Sequence, residues 1–150
     1  MNAETAGLRV DFYHLTRTPI EAVLPKLLEK ILASGAKALV HGQNRTLLDR
    51  LDVALWTYEP TAFLPHGKVG EAGEADQPVL LSAGIAAANG ANMLVIADGH
   101  WPGDAALGFE RTLYLFDDAT LDEARRTWRS LACDKHYWKQ TEAGGWVEGP

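Results

Sequence analysis

The chain has 150 residues, of which 47% are hydrophobic and 23% charged, and its formal net charge at pH 7 is −6. This length and composition predict one globular domain over residues 1–150 that folds without a disulfide or a metal. The acidic charge argues against a protein that binds nucleic acid directly. The single cysteine, the lack of a signal-peptide pattern and the lack of a membrane-spanning apolar run predict a cytoplasmic protein.

The N-terminal part predicts a strand followed by a helix. Residues 8–15 alternate between apolar and polar side chains, with Asp11 on the polar face, which is typical of a strand. Thr18 suits an N-cap and Pro19 a first helical position. Apolar residues then recur at helical spacing, and Pro25 within them predicts a kink or a later start of the helix.

The next residues repeat this order. Residues 36–40 are nearly all apolar, which is typical of a strand buried on both faces of a parallel sheet. Asn44 predicts the N-cap of a second helix that extends to Trp56. Residues 57–78 predict a long irregular segment, and loops of this length tend to be functional or mobile.

The second half predicts further strands, one helix and a hairpin. Strands are predicted at residues 79–82, 93–97 and 111–116. Asp118 or Thr120 then caps a helix that continues to about Asp134, and the tail predicts two short strands about Gly144. The whole predicts an α/β fold: a Rossmann-like three-layer sandwich with a mostly parallel central sheet flanked by helices.

An enzyme of this fold class would need a catalytic or cofactor site, and the sequence has neither a nucleotide-binding loop nor a metal-binding motif. The turns after the first two strands read TRTPIEA and HGQN, so no nucleotide-binding loop follows either strand. The histidines and the cysteine have no metal-ligand spacing, and we expect neither a metal nor another cofactor. Asp98, His100 and Asp117 follow predicted strands and form the alternative hypothesis of a small α/β enzyme, although capping and turns explain them more simply.

The last predicted helix has a pattern suited to peptide binding. Trp128 lies on its apolar face, and Arg125 and Arg129 flank that face at i, i+4 spacing within a locally basic segment. Guanidinium groups beside an aromatic wall suit an acidic peptide with an aromatic end. The alternative is that Trp128 belongs to the core and the arginines form a solvated edge.

A second candidate surface lies around residues 50–67. Trp56, Phe63 and Pro65 are concentrated there, and His66 follows directly. A contiguous apolar patch of this kind marks a protein contact if it is exposed. The pattern alone fits self-packing onto the core equally well.

The same segment gives a resemblance to a known family. Residues 50–56 read RLDVALW, Phe63 to His66 read FLPH, and an acidic, glycine-containing stretch leads to Gln77-Pro78-Val79. With FYHL at residues 12–15, this order resembles the chi subunit family of bacterial DNA polymerase III over essentially the whole chain. The resemblance implies a Rossmann-like fold without nucleotide chemistry and a non-catalytic accessory role in replication.

The resemblance also implies partners and the residues that bind them. Chi proteins link the clamp loader to the acidic C-terminal tail of the single-stranded-DNA-binding protein, and the family's tail-binding positions match Arg125, Trp128 and Arg129. In the family, a second surface binds the psi subunit of the clamp loader. The resemblance implies that this surface is formed here by Trp56, Phe63, Pro65 and His66. Three partners fit this second surface: psi, another clamp-loader subunit and a repair helicase.

Overall fold

The computed structural model describes residues 8–58 and 64–149 and contains, within them, one mixed sheet and three α-helices. The strands are β1 (Arg9–His14), β2 (Ala38–His41), β3 (His66–Lys68), β4 (Val79–Ser82), β5 (Met93–Ile96), β6 (Arg111–Phe116), β7 (Asp134–Gln140) and β8 (Trp146–Glu148). The helices are α1 (Ile20–Ala33), α2 (Arg45–Thr57) and α3 (Leu121–Ser130).

The sheet has the order β3-β4-β2-β5-β6-β1-β7-β8. Neighbouring strands are parallel except β7 and β8, which form the antiparallel pair predicted for the tail. The apolar residues of α1 and α2 pack on one face and those of α3 on the other. This arrangement confirms the predicted three-layer α/β fold with a mostly parallel sheet. None of the helices in the described part of the chain has the length and apolar character that a membrane span requires.

The central strands are apolar because both of their faces are covered. Every residue of β2, β4 and β5 is buried, as the short apolar runs predict for parallel strands. The following helix α2 begins where the sequence predicts, because Asn44 Oδ1 accepts hydrogen bonds from the backbone N–H groups of Thr46 (2.8 Å) and Leu47 (3.4 Å).

The start of α1 differs from the prediction. Pro19 occupies the N-cap position, and the helix begins at Ile20 and continues through Pro25, which is buried in its second turn. Pro25 therefore does not delay the start of the helix. At this position it removes the hydrogen bond that a backbone N–H would donate to the carbonyl of Glu21, a partly exposed residue of the first turn.

Thr18 has a tertiary role instead of the predicted capping role. Its hydroxyl accepts a hydrogen bond from Gln140 Nε2 (2.7 Å), and Gln140 Oε1 accepts from the backbone N–H groups of Thr16, Arg17 and Thr18 at 2.9 to 3.3 Å. The buried amide of Gln140 at the end of β7 thus fixes the loop between β1 and α1. This pairing spans more than 120 residues and has no local sequence signal.

Two predicted boundaries are wrong. The segment predicted as irregular over 57–78 contains the edge strand β3 and a 3-10 turn, Glu74–Asp76. The last helix ends at Ser130 and does not reach Asp134, because Asp134 is the first residue of β7 and pairs with β1. Cys133 therefore lies between helix and strand, not on the helix.

The polar face predicted for β1 is also wrong, because Asp11 is fully buried. Arg9 donates to both of its oxygens (Nη2 to Oδ1, 2.9 Å), Arg111 Nε donates to Oδ2 (2.7 Å), and Trp138 Nε1 donates to Oδ1 (2.9 Å). Burial by itself raises the pKa of the Asp11 carboxyl, but the three donors outweigh it and lower that pKa below its ordinary value. One ionised carboxylate therefore joins β1 to β6 and β7.

We expect Asp11→Asn to lower the free energy of unfolding at pH 7 by about 3 kcal/mol, because it breaks a buried, charge-assisted network. The pKa of Asp11 is lowered in the folded state. Its ionised carboxylate therefore stabilises the fold above the ordinary pKa range of carboxyl groups, and this stabilisation is lost as pH falls through the lowered pKa. Urea unfolding should therefore show the difference between wild type and variant shrinking below about pH 4. Glu142→Gln, at an exposed carboxylate 3.8 Å from Arg17, is the control and should leave stability nearly unchanged.

Candidate functional site

A cavity of about 380 Å³ lies between α3 and the sheet. Alternate residues of a strand point to the same face, so β1, β6 and β7 all supply side chains to it. Its walls are formed by Phe12, His14, Phe116, Leu121, Ala124, Arg125, Trp128, Arg129 and Tyr137. The three predicted tail-binding residues therefore lie together on one cavity.

Trp128 forms the aromatic wall and is partly buried. Its ring meets Phe12 edge to face at a centroid distance of 5.1 Å. Lys135 Nζ lies 4.8 Å from the centroid of the indole and donates a hydrogen bond to the Trp128 carbonyl (2.7 Å). The indole is held in place while part of it faces the cavity, so it belongs both to the core edge and to the cavity wall.

The rim of the cavity is cationic. Arg125 and Arg129 are exposed and lie one turn apart on α3. Arg125 has a solvated contact of 4.0 Å with Asp122, and Arg129 has no ion pair among the described residues. Exposed pairs of this kind contribute little, so both guanidinium groups are available to an external anion.

The remaining wall is polar and was not predicted as part of the site. His14 Nε2 lies 2.8 Å from Asp118 Oδ1, and His14 Nδ1 lies 3.1 Å from the Tyr137 hydroxyl. The imidazole also stacks on Phe116 at 4.9 Å with an interplanar angle of 18°. Alternation along β1 and β7 indicates from the sequence which side chains share a face of each strand. Only the strand order shows that these side chains share a cavity with α3.

The second predicted surface is centred on α2. Trp56 is 61% exposed and Val53 is 60% exposed, which is high for large apolar side chains. Pro65 is partly buried. Phe63 was predicted for this surface and lies outside the described residues.

His66 supports this surface from beneath. Its side chain is buried, with Nδ1 2.7 Å from the Leu64 carbonyl oxygen and Nε2 3.0 Å from Asp52 Oδ1. Its ring lies 4.6 Å from that of Trp56. His66 therefore fixes the position of α2 and of the exposed indole, and it does not itself offer a ring to a partner.

The residues of the alternative enzyme hypothesis line a crevice of about 590 Å³ at the carboxyl ends of the strands. Asp98 accepts hydrogen bonds from the backbone N–H groups of Gln43 (3.0 Å) and His100 (3.1 Å), and Asp117 caps the turn at Ala119 (3.0 Å). A hydrogen bond to Glu123 raises the pKa of His100. These contacts order local turns, and within the described ranges His, Cys, Asp and Glu form no cluster suited to a metal.

The family comparison matches the model of "DNA polymerase III chi subunit, HolC" to residues 8–137, which span both candidate surfaces and all three helices. The chain belongs to the DNA polymerase III chi subunit family. This family consists of accessory subunits of a replicative polymerase and not of independent enzymes. The tail-binding and clamp-loader residues assigned from the resemblance stay predictions.

Curated chi proteins give the same result at lower coverage. The chain is 32% identical over 90 residues to DNA polymerase III subunit chi of Pseudomonas aeruginosa, with 58% of this chain and 62% of the relative covered. It is 29% identical over 84 residues to a probable subunit chi of Rickettsia prowazekii (56% and 51%), and 31% over 74 residues to that of Haemophilus influenzae (47% and 51%). The matches thus span about half to three-fifths of these relatives.

The supporting role of buried His66 and the exposed position of Trp56 can be tested by measuring the free energy of unfolding of single variants. We expect His66→Ala to lower the free energy of unfolding by about 3 kcal/mol, because it leaves a cavity and an unpaired carbonyl at Leu64. Trp56→Ala, at an exposed ring, should cost less than about 1 kcal/mol. Urea unfolding of both variants measures this, and equal costs would contradict the supporting role of His66.

Proposed function

We propose that this chain is a non-catalytic replication adaptor in the cytoplasm. Its α3 cavity binds the acidic C-terminal tail of the single-stranded-DNA-binding protein, and its α2 surface binds a clamp-loader component, psi or an equivalent subunit. The observation that supports the first half is the cavity beneath α3, with an aromatic wall at Trp128 and two available guanidinium groups at Arg125 and Arg129.

The chemistry of this cavity matches a peptide that ends in an acidic residue, a proline and a phenylalanine. The apolar walls at Phe12, Leu121 and Trp128 suit a phenyl ring. The guanidinium groups suit the terminal carboxylate and the preceding acidic side chains, since arginine binds carboxylates through two parallel hydrogen bonds. The cavity is small enough for one ring and its neighbouring residues, and it does not suit a long nucleic-acid strand.

The second surface is separate from the first. Trp56 lies on α2, which packs on the opposite face of the sheet from α3, and its ring rests on His66 of the edge strand β3. Exposed aromatic side chains are frequent anchors of protein interfaces. A protein with one binding surface on each face can hold two partners at once, as an adaptor requires.

For the tail site, we expect Arg129→Ala to weaken binding of an acidic peptide ending in Asp-Pro-Phe by about tenfold or more, because a charge-assisted hydrogen bond is lost. Isothermal titration calorimetry at low salt measures the affinity. Arg126→Ala is the matched control: it removes the same charge from the same helix, but Arg126 does not line the cavity.

The two arginine variants separate a specific site from general charge attraction. Equal losses in Arg129→Ala and Arg126→Ala would mean that the peptide responds only to the basic surface. No loss in Arg129→Ala would refute the tail site. The affinity of the wild type should also fall as salt concentration rises, because the contacts on the rim are solvated.

For the second surface, we expect Trp56→Ala to abolish capture of clamp-loader components while leaving affinity for the tail peptide unchanged, because the two surfaces lie on opposite faces. Pull-down of the purified clamp loader by immobilised full-length chain, beside the peptide titration, measures both. Val147→Ala removes an exposed apolar side chain from β8, at the other edge of the sheet, and should affect neither. Loss of peptide binding in Trp56→Ala would show that the surfaces are wrongly assigned.

A further inference from the structure

One wall of the α3 cavity contains an ionisable group that the proposed tail binding does not use. His14 is 8% exposed and lines the cavity beside Phe116. Both of its ring nitrogens have polar partners, Asp118 at Nε2 and Tyr137 at Nδ1. A histidine in a ligand cavity, held between an anion and a hydroxyl, can couple binding to protonation.

The partners determine how the hydrogens are arranged when the ring is neutral. The Asp118 carboxylate can only accept, so Nε2 carries the hydrogen. The other nitrogen, Nδ1, is then an acceptor, and Tyr137 must donate its hydroxyl hydrogen to it. In this state the Tyr137 hydroxyl has no hydrogen left for a ligand in the cavity.

Protonation of His14 reverses the bond to Tyr137. Both ring nitrogens then donate, and the Tyr137 oxygen accepts from Nδ1. The hydroxyl hydrogen becomes free, and Tyr137 itself lines the cavity. The cavity thereby gains a hydrogen-bond donor and a positive charge, and both favour a bound carboxylate.

The charged groups around His14 come from each neighbouring element. Asp118, on the turn after β6, places a carboxylate at Nε2 of His14, and Arg125 and Arg129 of α3 place two positive charges on the border of the same cavity. Lys139 is the register partner of His14 on β7 and adds a further positive charge, while β6 contributes the uncharged ring of Phe116. An acidic peptide on the rim adds negative charge beside the arginines, which makes one more positive charge in the cavity less costly.

On the basis of the proposed tail-binding function, we propose that His14 and Tyr137 form a proton-dependent recognition wall of the α3 cavity. Binding of an acidic peptide end is accompanied by proton uptake at His14, and the Tyr137 hydroxyl turns to donate to the peptide. Because the protonated state binds more tightly, affinity falls as pH rises from 6.0 to 8.5, by linkage.

The test uses the full chain and a synthetic acidic peptide ending in Asp-Pro-Phe. Titration calorimetry at pH 6.5 in two buffers of different ionisation enthalpy measures proton uptake, and a series from pH 6.0 to 8.5 measures affinity. We expect uptake and a decrease in affinity of about fivefold across the series for wild type. His14→Gln keeps both hydrogen-bonding ends without a titrating charge, and it should show neither.

Two further variants locate the effect. His136→Gln removes another histidine that lies outside the cavity, and it should retain the wild-type pH profile. Tyr137→Phe removes the hydroxyl, so it should bind more weakly at pH 6.0 and show a flatter profile. Since His14→Gln could unfold the chain, NMR of wild type gives an independent reading: peptide added at pH 7 should move the His14 imidazole shifts toward their protonated values.

The outcomes distinguish this proposal from the proposed function. Parallel pH profiles for wild type and His14→Gln, or unchanged His14 shifts on peptide addition, would overturn the role of His14. If Arg129→Ala still weakened binding in that case, the tail site itself would stand. Absence of peptide binding to wild type at every pH would instead overturn the tail site and this proposal with it.

Discussion

The buried carboxylate of Asp11 is the interaction on which the α3 cavity depends. It accepts hydrogen bonds from β6 through Arg111 and from β7 through Trp138, and so it fixes both neighbours of β1. The other face of β1 contributes Phe12 and His14 to the cavity. A charge on one face of a strand therefore helps to set the positions of the cavity-facing side chains on the other face, because strands are stiff and their residues alternate.

The cavity combines a rigid interior with a solvated rim. Trp128 is fixed between Phe12 and Lys135, while Arg125 and Arg129 extend from the same helix into solvent. A preformed apolar wall reduces the entropy that is lost when a short peptide binds. Exposed guanidinium groups would add orientation and salt sensitivity to the proposed contact with an acidic peptide.

The sheet keeps the two proposed surfaces apart. α3 packs on one face near β1, and α2 packs on the other face, with Trp56 resting on a residue of the edge strand β3. The strand order places β1 and β3 five positions apart in the sheet. The two proposed partners would therefore not compete sterically, because the sheet separates the surfaces that would bind them.

The sequence by itself determined the features that arise from neighbouring residues. Short apolar strands, the Asn44 cap and the spacing of Trp128 between its arginines follow from local periodicity and hydrogen-bonding chemistry. The resemblance to the family rests on a motif that is also local in the sequence. Only the tertiary structure decided that Asp11 and His66 are buried and that His14 faces α3. Their partners lie far along the chain or depend on the strand order, and such pairings leave no local pattern, because they are stabilised by packing formed after the sheet is assembled.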